Sequence, residues 1–183
     1  PSAPHVDPEI FTWGIPVLGI CYGCQLIAHT LGGRVTAASD ATAREYGKTK
    51  TYFDPSCALF RGLPETSVTW MSHGDYLEKV PDGFKLMAHT DACPTAAIAD
   101  EARGFYGVQY HPEVNHTEFG QQMLHNFLYE VCHAKGDWTM GDYCKTAIAA
   151  VREKVARRAF GEVVKIARHR LRLGNGSEFD AFP

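Results

Sequence analysis

The chain has 183 residues, 45% of them hydrophobic, and a formal net charge of −3 at pH 7. That is enough apolar sequence for one hydrophobic core with a short appendage. It lacks the basic excess of proteins that bind phosphate backbones, so we expect no nucleic-acid partner. The sequence also contains no apolar run of about 18 residues and no leader pattern, so we expect no membrane association and a cytoplasmic location.

The first predicted elements are a short helix, a strand and a second helix. Asp7 and Pro8 supply a cap and a first helical residue for "EIFTW". The apolar run "IPVLGI", residues 15–20, is typical of a buried strand. "CQLIAHTLGG", residues 24–33, predicts a helix followed by glycines. A sharp turn must therefore join the strand to this second helix.

Six short segments further along are rich in β-branched or aromatic residues and are separated by Gly, Pro and Asp. This pattern predicts strands, several of them antiparallel. The segments are GRVTAA (33–38), KTKTYF (48–53), SVTWMSH (67–73), FKLMAHT (84–90), TAAIADE (95–101) and FYGVQYH (105–111).

The remaining sequence predicts two helices and a tail. Apolar residues recur every four positions from Phe119 to Val131, which predicts an amphipathic helix packed on a sheet. A second periodic stretch surrounds Val151, and "LGNGSEFDAFP" has the composition of a frayed end. We predict a domain over residues 1–136 and a linker with a helical, basic tail over 137–183.

Two of the six cysteines, Cys21 and Cys24, are three positions apart. Scattered cysteines in a chain of this kind favour reduced thiols. The pair is compatible with a redox motif at a helix start. Zinc would need two further ligands, and no second CxxC exists. Cys21 as a small buried side chain is a third alternative.

A nucleophile on a strand-to-helix turn explains more of these residues. Glycines flank Cys21 at Gly19 and Gly23, where we expect a Cβ to collide in such an elbow. The following helix start favours the thiolate. The backbone N–H of Tyr22 would face a developing oxyanion. Cys24 is then more simply a packing residue.

The predicted base is His111, at the end of the segment FYGVQYH. On an extended chain Glu113 projects to the same side as His111, and Pro112 between them restrains the backbone. A carboxylate so placed fixes the imidazole tautomer and stabilises its protonated form. Cys21, His111 and Glu113 would then form a triad, although a histidine at a strand end, taken alone, is more often a surface residue.

Four segments together resemble the class I (triad) glutamine amidotransferases, and most closely the glutaminase domain of GMP synthetase. They are "GICYGCQLIAHTLGG", "MSHGD", "GVQYHPEVNHTEFG" and "HNFLYEVCHAKGDWTM". The resemblance covers about residues 1–150. It implies an α/β, flavodoxin-like fold with a mixed central sheet.

The resemblance also implies the chemistry. Cys21 would be the nucleophile, His111 the base and Glu113 its orienting carboxylate in the hydrolysis of L-glutamine to glutamate and ammonia. Gln25 and a loop with Ser72 and His73 would line the glutamine pocket, although a solvated turn also explains that loop. Ammonia would serve the conversion of XMP to GMP in purine biosynthesis.

The sequence departs from the family at both ends. It starts where the glycine-rich oxyanion loop would end, so we expect the first strands to be missing and the chain alone to be unstable or inactive. No "SGGVDS"-type phosphate loop follows Val155. We therefore expect no cofactor and no metal in this chain. ATP and Mg are implied only for a synthetase (ATP pyrophosphatase) domain or subunit that uses XMP.

Two rival functions follow from these departures. One is a cysteine hydrolase of the same fold that acts on γ-glutamyl compounds. The other is a non-catalytic regulatory or binding module.

Overall fold

The structure is a computed structural model that describes residues 3–37, 44–137 and 139–174. The chain divides into two compact units, Pro1–Lys135 and Gly136–Pro183. Each is described by itself. Among the described residues, none of the helices combines the length and apolar character needed to cross a membrane.

The first unit alternates short strands with a few helical segments. A 3₁₀ helix (Pro8–Thr12) is capped by the Asp7 carboxylate, which accepts a hydrogen bond from the Glu9 amide at 3.0 Å. The strands are β1 (Val17–Ile20), β2 (Arg34–Ala37), β3 (Glu45–Phe53), β4 (Thr66–His73), β5 (Asp75–Lys79), β6 (Lys85–His89), β7 (Ala97–Asp100) and β8 (Phe105–Val108). The helices are α1 (Tyr22–Thr30), a 3₁₀ turn (Ala58–Phe60), α2 (Gly120–His125) and a π-helical continuation (Asn126–Val131).

Six of these strands form one mixed sheet in the order β1-β8-β7-β6-β3-β4. Only the β1–β8 pair is parallel, with Ile20 opposite Val108. The other neighbours are antiparallel, as predicted for several of them. β2 and β5 form a separate antiparallel ribbon. The mixed α/β architecture agrees with the predicted fold class.

Strand β8 shows how the two faces of the sheet are covered. Its side chains alternate, and all four of its residues are buried. Phe105 packs in the cluster with Ile27 of α1, whereas Tyr106 and Val108 belong to the cluster that contains Met123 of α2. Helices on both faces therefore bury β8, which explains its nearly continuous apolar sequence.

The helix predicted from Phe119 onward begins at Gly120 and changes to π-helical spacing at Asn126. The side chain of Asn126 donates to the carbonyl oxygens of Leu59 and Arg61 at 3.0 and 2.9 Å. The second unit contains α3 (Met140–Gly174), which includes the periodic stretch around Val151. Trp138 and most of the expected frayed tail lie outside the described residues.

Candidate active site

Cys21 occupies the turn between β1 and α1. Its backbone has φ 51° and ψ −106°, a region that non-glycine residues rarely adopt. Such strain persists only where neighbouring structure enforces it, and it is frequent at functional sites. The amide of Cys21 donates to the carbonyl of Val108 at 2.7 Å, so β8 holds the elbow in place.

Only one of the two flanking glycines is required for the reason that we expected. A Cβ at Gly19 would lie 2.5 Å from the carbonyl carbon of Gly23 and 2.6 Å from a methyl group of Ile27. A Cβ at Gly23 meets nothing within 4 Å, so the prediction of a collision there is wrong. The backbone of Gly23 therefore packs directly against the Cα of Gly19, which leaves no room for a side chain at Gly19.

Cys24 is a packing residue in this structure. It is buried and unbridged, and its sulfur faces Gly107, where a Cβ would approach it to 2.7 Å. Burial raises the pKa of its thiol. A redox pair needs an accessible low-pKa thiol, so the geometry does not favour the redox interpretation of Cys21 and Cys24.

The sulfur of Cys21 lies among polar groups from three elements. It accepts a hydrogen bond from Nε2 of Gln109 at 3.6 Å and can donate to the carbonyl oxygen of Ser72 at 3.8 Å. Burial raises the pKa of the Cys21 thiol, while hydrogen bonds from the Tyr22 backbone and from Gln109 lower it, and the charge of Glu113 raises it. The net direction is upward. The helix start acts in the expected direction through the Tyr22 amide, but burial outweighs it.

His111 and Glu113 form a close pair beyond the end of β8. Nδ1 of His111 lies 2.7 Å from Oε1 of Glu113. Our reason for expecting the pair was wrong, because β8 ends at Val108 and the segment from Pro112 onward is a turn. The turn brings the carboxylate back to the ring.

Two hydrogen bonds hold His111 just before that turn, and a third joins its two partners. Its amide donates to the carbonyl of Trp70 at 3.0 Å, and its own carbonyl accepts from Oγ1 of Thr117 at 2.6 Å. Thr117 also accepts from the amide of Trp70 at 3.0 Å. Strand β4 and the Thr117 hydroxyl thus hold the backbone of His111 from both sides, a role that the sequence did not reveal.

Parallel pairing brings the three predicted catalytic residues to one edge of the sheet. Cys21 directly follows β1, and His111 lies three residues beyond the end of its parallel neighbour β8. The charge of Glu113 is near enough to act on the Cys21 thiol. Within this described region, Cys21 and His111 have no direct hydrogen bond to each other.

The three predicted pocket residues occupy different environments. Gln25 lies in α1, and its Nε2 donates to the carbonyl of Asp75 and to Oε1 of Gln109, both at 3.0 Å. Ser72 and His73 end strand β4 instead of lying in a loop, which corrects that prediction. Ser72 is exposed and presents its carbonyl to Cys21.

His73 faces away from the surface. Only 4% of it is exposed, and its ring contacts Glu45 and the carbonyl of Asp75. The pocket-lining role inferred for His73 is therefore not supported by its burial. Its position is that of a residue behind the site.

A pocket of about 220 Å³ adjoins the elbow on the α1 side. Tyr22, Gln25 and Asp75 line it, with His5 and His29 at other parts of its wall. The Tyr22 hydroxyl hydrogen-bonds the carbonyl of Pro4. The pocket therefore lies beside the candidate oxyanion amide and beside Gln25.

Comparison with known families identifies the family to which this site belongs. The model of the family "Glutamine amidotransferase class-I" matches residues 1–131. The chain belongs to this family. The predicted family and the predicted α/β fold class are confirmed. The chain is a glutamine amidotransferase domain homologous to the corresponding region of GMP synthases.

Two similar proteins make the assignment more specific. A GMP synthase [glutamine-hydrolyzing] of Clostridium botulinum (strain Hall) is 53% identical over 154 residues, which is 84% of this chain. The chain spans 30% of the length of that relative. A solved structure from Thermoplasma acidophilum, named for one subunit of a GMP synthase, is 36% identical with a TM-score of 0.63. The match covers 68% of this chain and 60% of that one.

A third similar protein supports the fold alone. A glutamine amidotransferase from Thermotoga maritima is 23% identical with a TM-score of 0.53, covering 67% of this chain and 50% of that one. Its similarity extends the amidotransferase architecture to a more distant sequence.

The sequence interpretation missed Gln109, which is fully buried and touches the candidate nucleophile. The available signal was a polar residue in the otherwise apolar segment "FYGVQY". A buried amide in such a segment must have hydrogen-bond partners. The identity of those partners depends on α1 and the elbow, which the segment itself does not specify.

Proposed function

We propose that this chain hydrolyses L-glutamine to glutamate and ammonia with Cys21 as nucleophile, His111 as base and Glu113 as its orienting carboxylate. One observation carries the proposal: a backbone-strained cysteine follows β1 while a histidine–carboxylate pair follows the parallel neighbour β8. Membership of the class-I glutamine amidotransferases supports the choice of substrate.

The first half of the proposed reaction forms a thioester. Because the Cys21 pKa is raised, the thiol transfers its proton to His111 as attack begins. The sulfur adds to the side-chain carboxamide carbon, and the carbonyl electrons move to oxygen. The Tyr22 amide, at the start of α1, can donate to that oxyanion. His111 then gives its proton to the amide nitrogen, the C–N bond breaks and ammonia leaves.

The second half returns the enzyme to its starting state. His111 removes a proton from water, whose oxygen attacks the γ-glutamyl thioester. The C–S bond breaks, glutamate forms and the sulfur regains a proton. The Glu113 carboxylate stabilises the imidazolium in both halves.

We further propose that the ammonia is used by a synthetase (ATP pyrophosphatase) domain or subunit that converts XMP to GMP with ATP and Mg. The names of the Clostridium and Thermoplasma relatives support this destination in purine biosynthesis. The segment 137–183 would then be a linker with a helical, basic tail beyond the amidotransferase domain over 1–136.

Ammonia release from glutamine by the full chain tests the proposal. Cys21→Ala should abolish release and also labelling by a glutamine-analogue electrophile. Cys24→Ala should largely retain both, because Cys24 is buried against Gly107. Equal labelling of both cysteines, or none in the folded chain, would contradict the proposal. Faster turnover of γ-glutamyl peptides than of glutamine would favour a γ-glutamyl hydrolase instead.

A further inference from the structure

A buried ion pair lies directly behind the candidate active site. Glu45 and His73 are 8% and 4% exposed, and Nε2 of His73 lies 3.3 Å from Oε2 of Glu45. The other oxygen of Glu45 accepts from the hydroxyl of Thr90 at 2.7 Å. The cluster therefore fixes the His73 ring through one of its nitrogens.

The same cluster includes the thiol of Cys93, and the possible ligand atoms of Glu45, His73 and Cys93 lie within 4.8 Å of one another. A metal site is a possible explanation for such a group. However, the carboxylate oxygens of Glu45 and both ring nitrogens of His73 already have hydrogen-bond partners. The geometry is that of a closed ion pair.

The other ring nitrogen of His73 begins a hydrogen-bonded path toward the active site. Nδ1 of His73 lies 3.0 Å from the carbonyl oxygen of Asp75, so it can donate to this oxygen. The same carbonyl accepts from Nε2 of Gln25 at 3.0 Å. One backbone oxygen thus joins the buried pair to a residue at the elbow.

The path continues from Gln25 to the nucleophile. Nε2 of Gln25 also donates to Oε1 of Gln109 at 3.0 Å, and Nε2 of Gln109 donates to the sulfur of Cys21 at 3.6 Å. A side-chain amide has one acceptor end and one donor end. Because Gln25 engages the acceptor end of Gln109, the donor end must face the sulfur.

We propose that Gln109 stabilises the Cys21 thiolate and that the Glu45–His73 pair positions it through the Asp75 carbonyl and Gln25. The inference rests on the proposed function for its catalytic meaning. Gln109 is fully buried, so its N–H acts on the sulfur with little competition from water. A hydrogen bond to an ionised acceptor is stronger than one to a neutral acceptor. The amide therefore favours the thiolate over the thiol.

The experiment measures the pH dependence of Cys21 alkylation by iodoacetamide in the full chain, with peptide mass spectrometry to separate the six cysteines. It reads the thiolate directly and needs no glutamine turnover. Gln109→Met removes the donor while keeping the side-chain length. We expect the alkylation profile to move to higher pH, with the rate at pH 8 reduced roughly tenfold.

A matched pair of substitutions tests the positioning step. The side-chain amide of His73→Asn can place an N–H donor at the position of Nδ1. The longer side chain of His73→Gln places its amide at the position of Nε2. We expect His73→Gln, which loses the donor to Asp75, to reduce the Cys21 rate roughly threefold. His73→Asn keeps that donor but loses the contact with Glu45, so we expect it to reduce the Cys21 rate less than His73→Gln does.

Thr69→Val is the control for a general loss of stability. Thr69 lies on β4, the strand of His73, and the substitution deletes its buried 2.7 Å hydrogen bond with Thr51. It should leave the Cys21 profile unchanged. Should Gln109→Met fail to fold, Gln109→Leu provides the same test, since it also removes the N–H donor without adding a charge, and the alkylation profile should again move to higher pH.

An unchanged profile in the folded Gln109 variant would overturn the inference. So would shifts in Thr69→Val or His73→Asn equal to that in His73→Gln. If the wild-type chain released no ammonia but the profiles moved as expected, the proposed function would fail and the inference about the thiolate would stand.

Discussion

Nδ1 of His111 and Oε1 of Glu113 lie 2.7 Å apart, and only Pro112, where a turn begins, separates the two residues. When Nδ1–H donates a hydrogen bond to the carboxylate, Nε2 keeps a free lone pair. That nitrogen can accept the proton of a thiol. The pair therefore sets the tautomer that a general base requires.

Loss of this base should slow glutamine hydrolysis far more than loss of its partner's charge. His111→Ala should lower kcat by roughly 10²–10⁴-fold, because the proton acceptor is gone. The amide oxygen of Glu113→Gln can still accept a hydrogen bond from Nδ1–H, so we expect a reduction of about tenfold from loss of the charge that stabilises the imidazolium. Ammonia release at saturating glutamine measures both.

Glu118→Gln is the control for charge removal in the same segment. The Glu118 carboxylate accepts hydrogen bonds from the Ser67 hydroxyl and the Val68 amide, and within the described part of the chain it has no hydrogen bond with His111. Glutamine turnover by the Glu118→Gln variant should match that of the wild type. A loss as large as that of Glu113→Gln would show that the segment's charge, and not the pair, is what matters.

The two glycines of the elbow should respond differently to alanine. Gly19→Ala places a Cβ 2.5 Å from backbone atoms of Gly23, and such overpacking costs about 1–3 kcal/mol. Gly23→Ala meets open space within helix α1 and should be neutral or stabilising by up to about 1 kcal/mol. Urea unfolding of the two variants gives both values. Equal destabilisation would contradict the elbow geometry.

The buried His73 should make folding stability depend on pH. Burial alone lowers its pKa, but hydrogen bonds with Cys93 and Glu45 raise it from 6.5 to about 9. The folded state therefore holds the proton more tightly than the unfolded state. The contribution, about 3 kcal/mol, is fully present below about pH 6.5 and is lost as the pH rises through about 9.

Urea midpoints of the wild type and of His73→Gln, measured between about pH 6 and pH 10, test this dependence. The variant lacks the titrating ring, so the stability difference between the two chains should shrink as the pH rises. A difference that grows with pH would reverse the sign and refute the ion-pair interpretation.

The raised pKa of the Cys21 thiol should be visible in its reactivity. Burial and the charge of Glu113 oppose ionisation more than the Tyr22 amide and Gln109 favour it. Alkylation of Cys21 in the folded chain should therefore require higher pH than alkylation of the same peptide in urea. Glu113→Gln should move the folded profile to lower pH. A folded profile below the unfolded one would show that the helix start dominates after all.

Local sequence predicted most of the elements that build the site. β1 and α1 follow from an apolar run, a glycine-flanked cysteine and a helical pattern. Strand β5 (Asp75–Lys79) was missed, because "DYLEK" is too polar to read as a strand. Its pairing with the distant β2 is what extends it.

Short stretches of the chain already specify the reactive groups: a cysteine at a strand-to-helix turn, and a histidine two residues before a carboxylate. These are local features, set by steric limits and spacing along a few residues. Folding of the whole domain is what pairs β1 with β8, buries His73 behind the site and turns the Gln109 amide toward the sulfur. Such facts depend on burial and on hydrogen bonds between residues far apart in the chain, and no short stretch of sequence contains both partners.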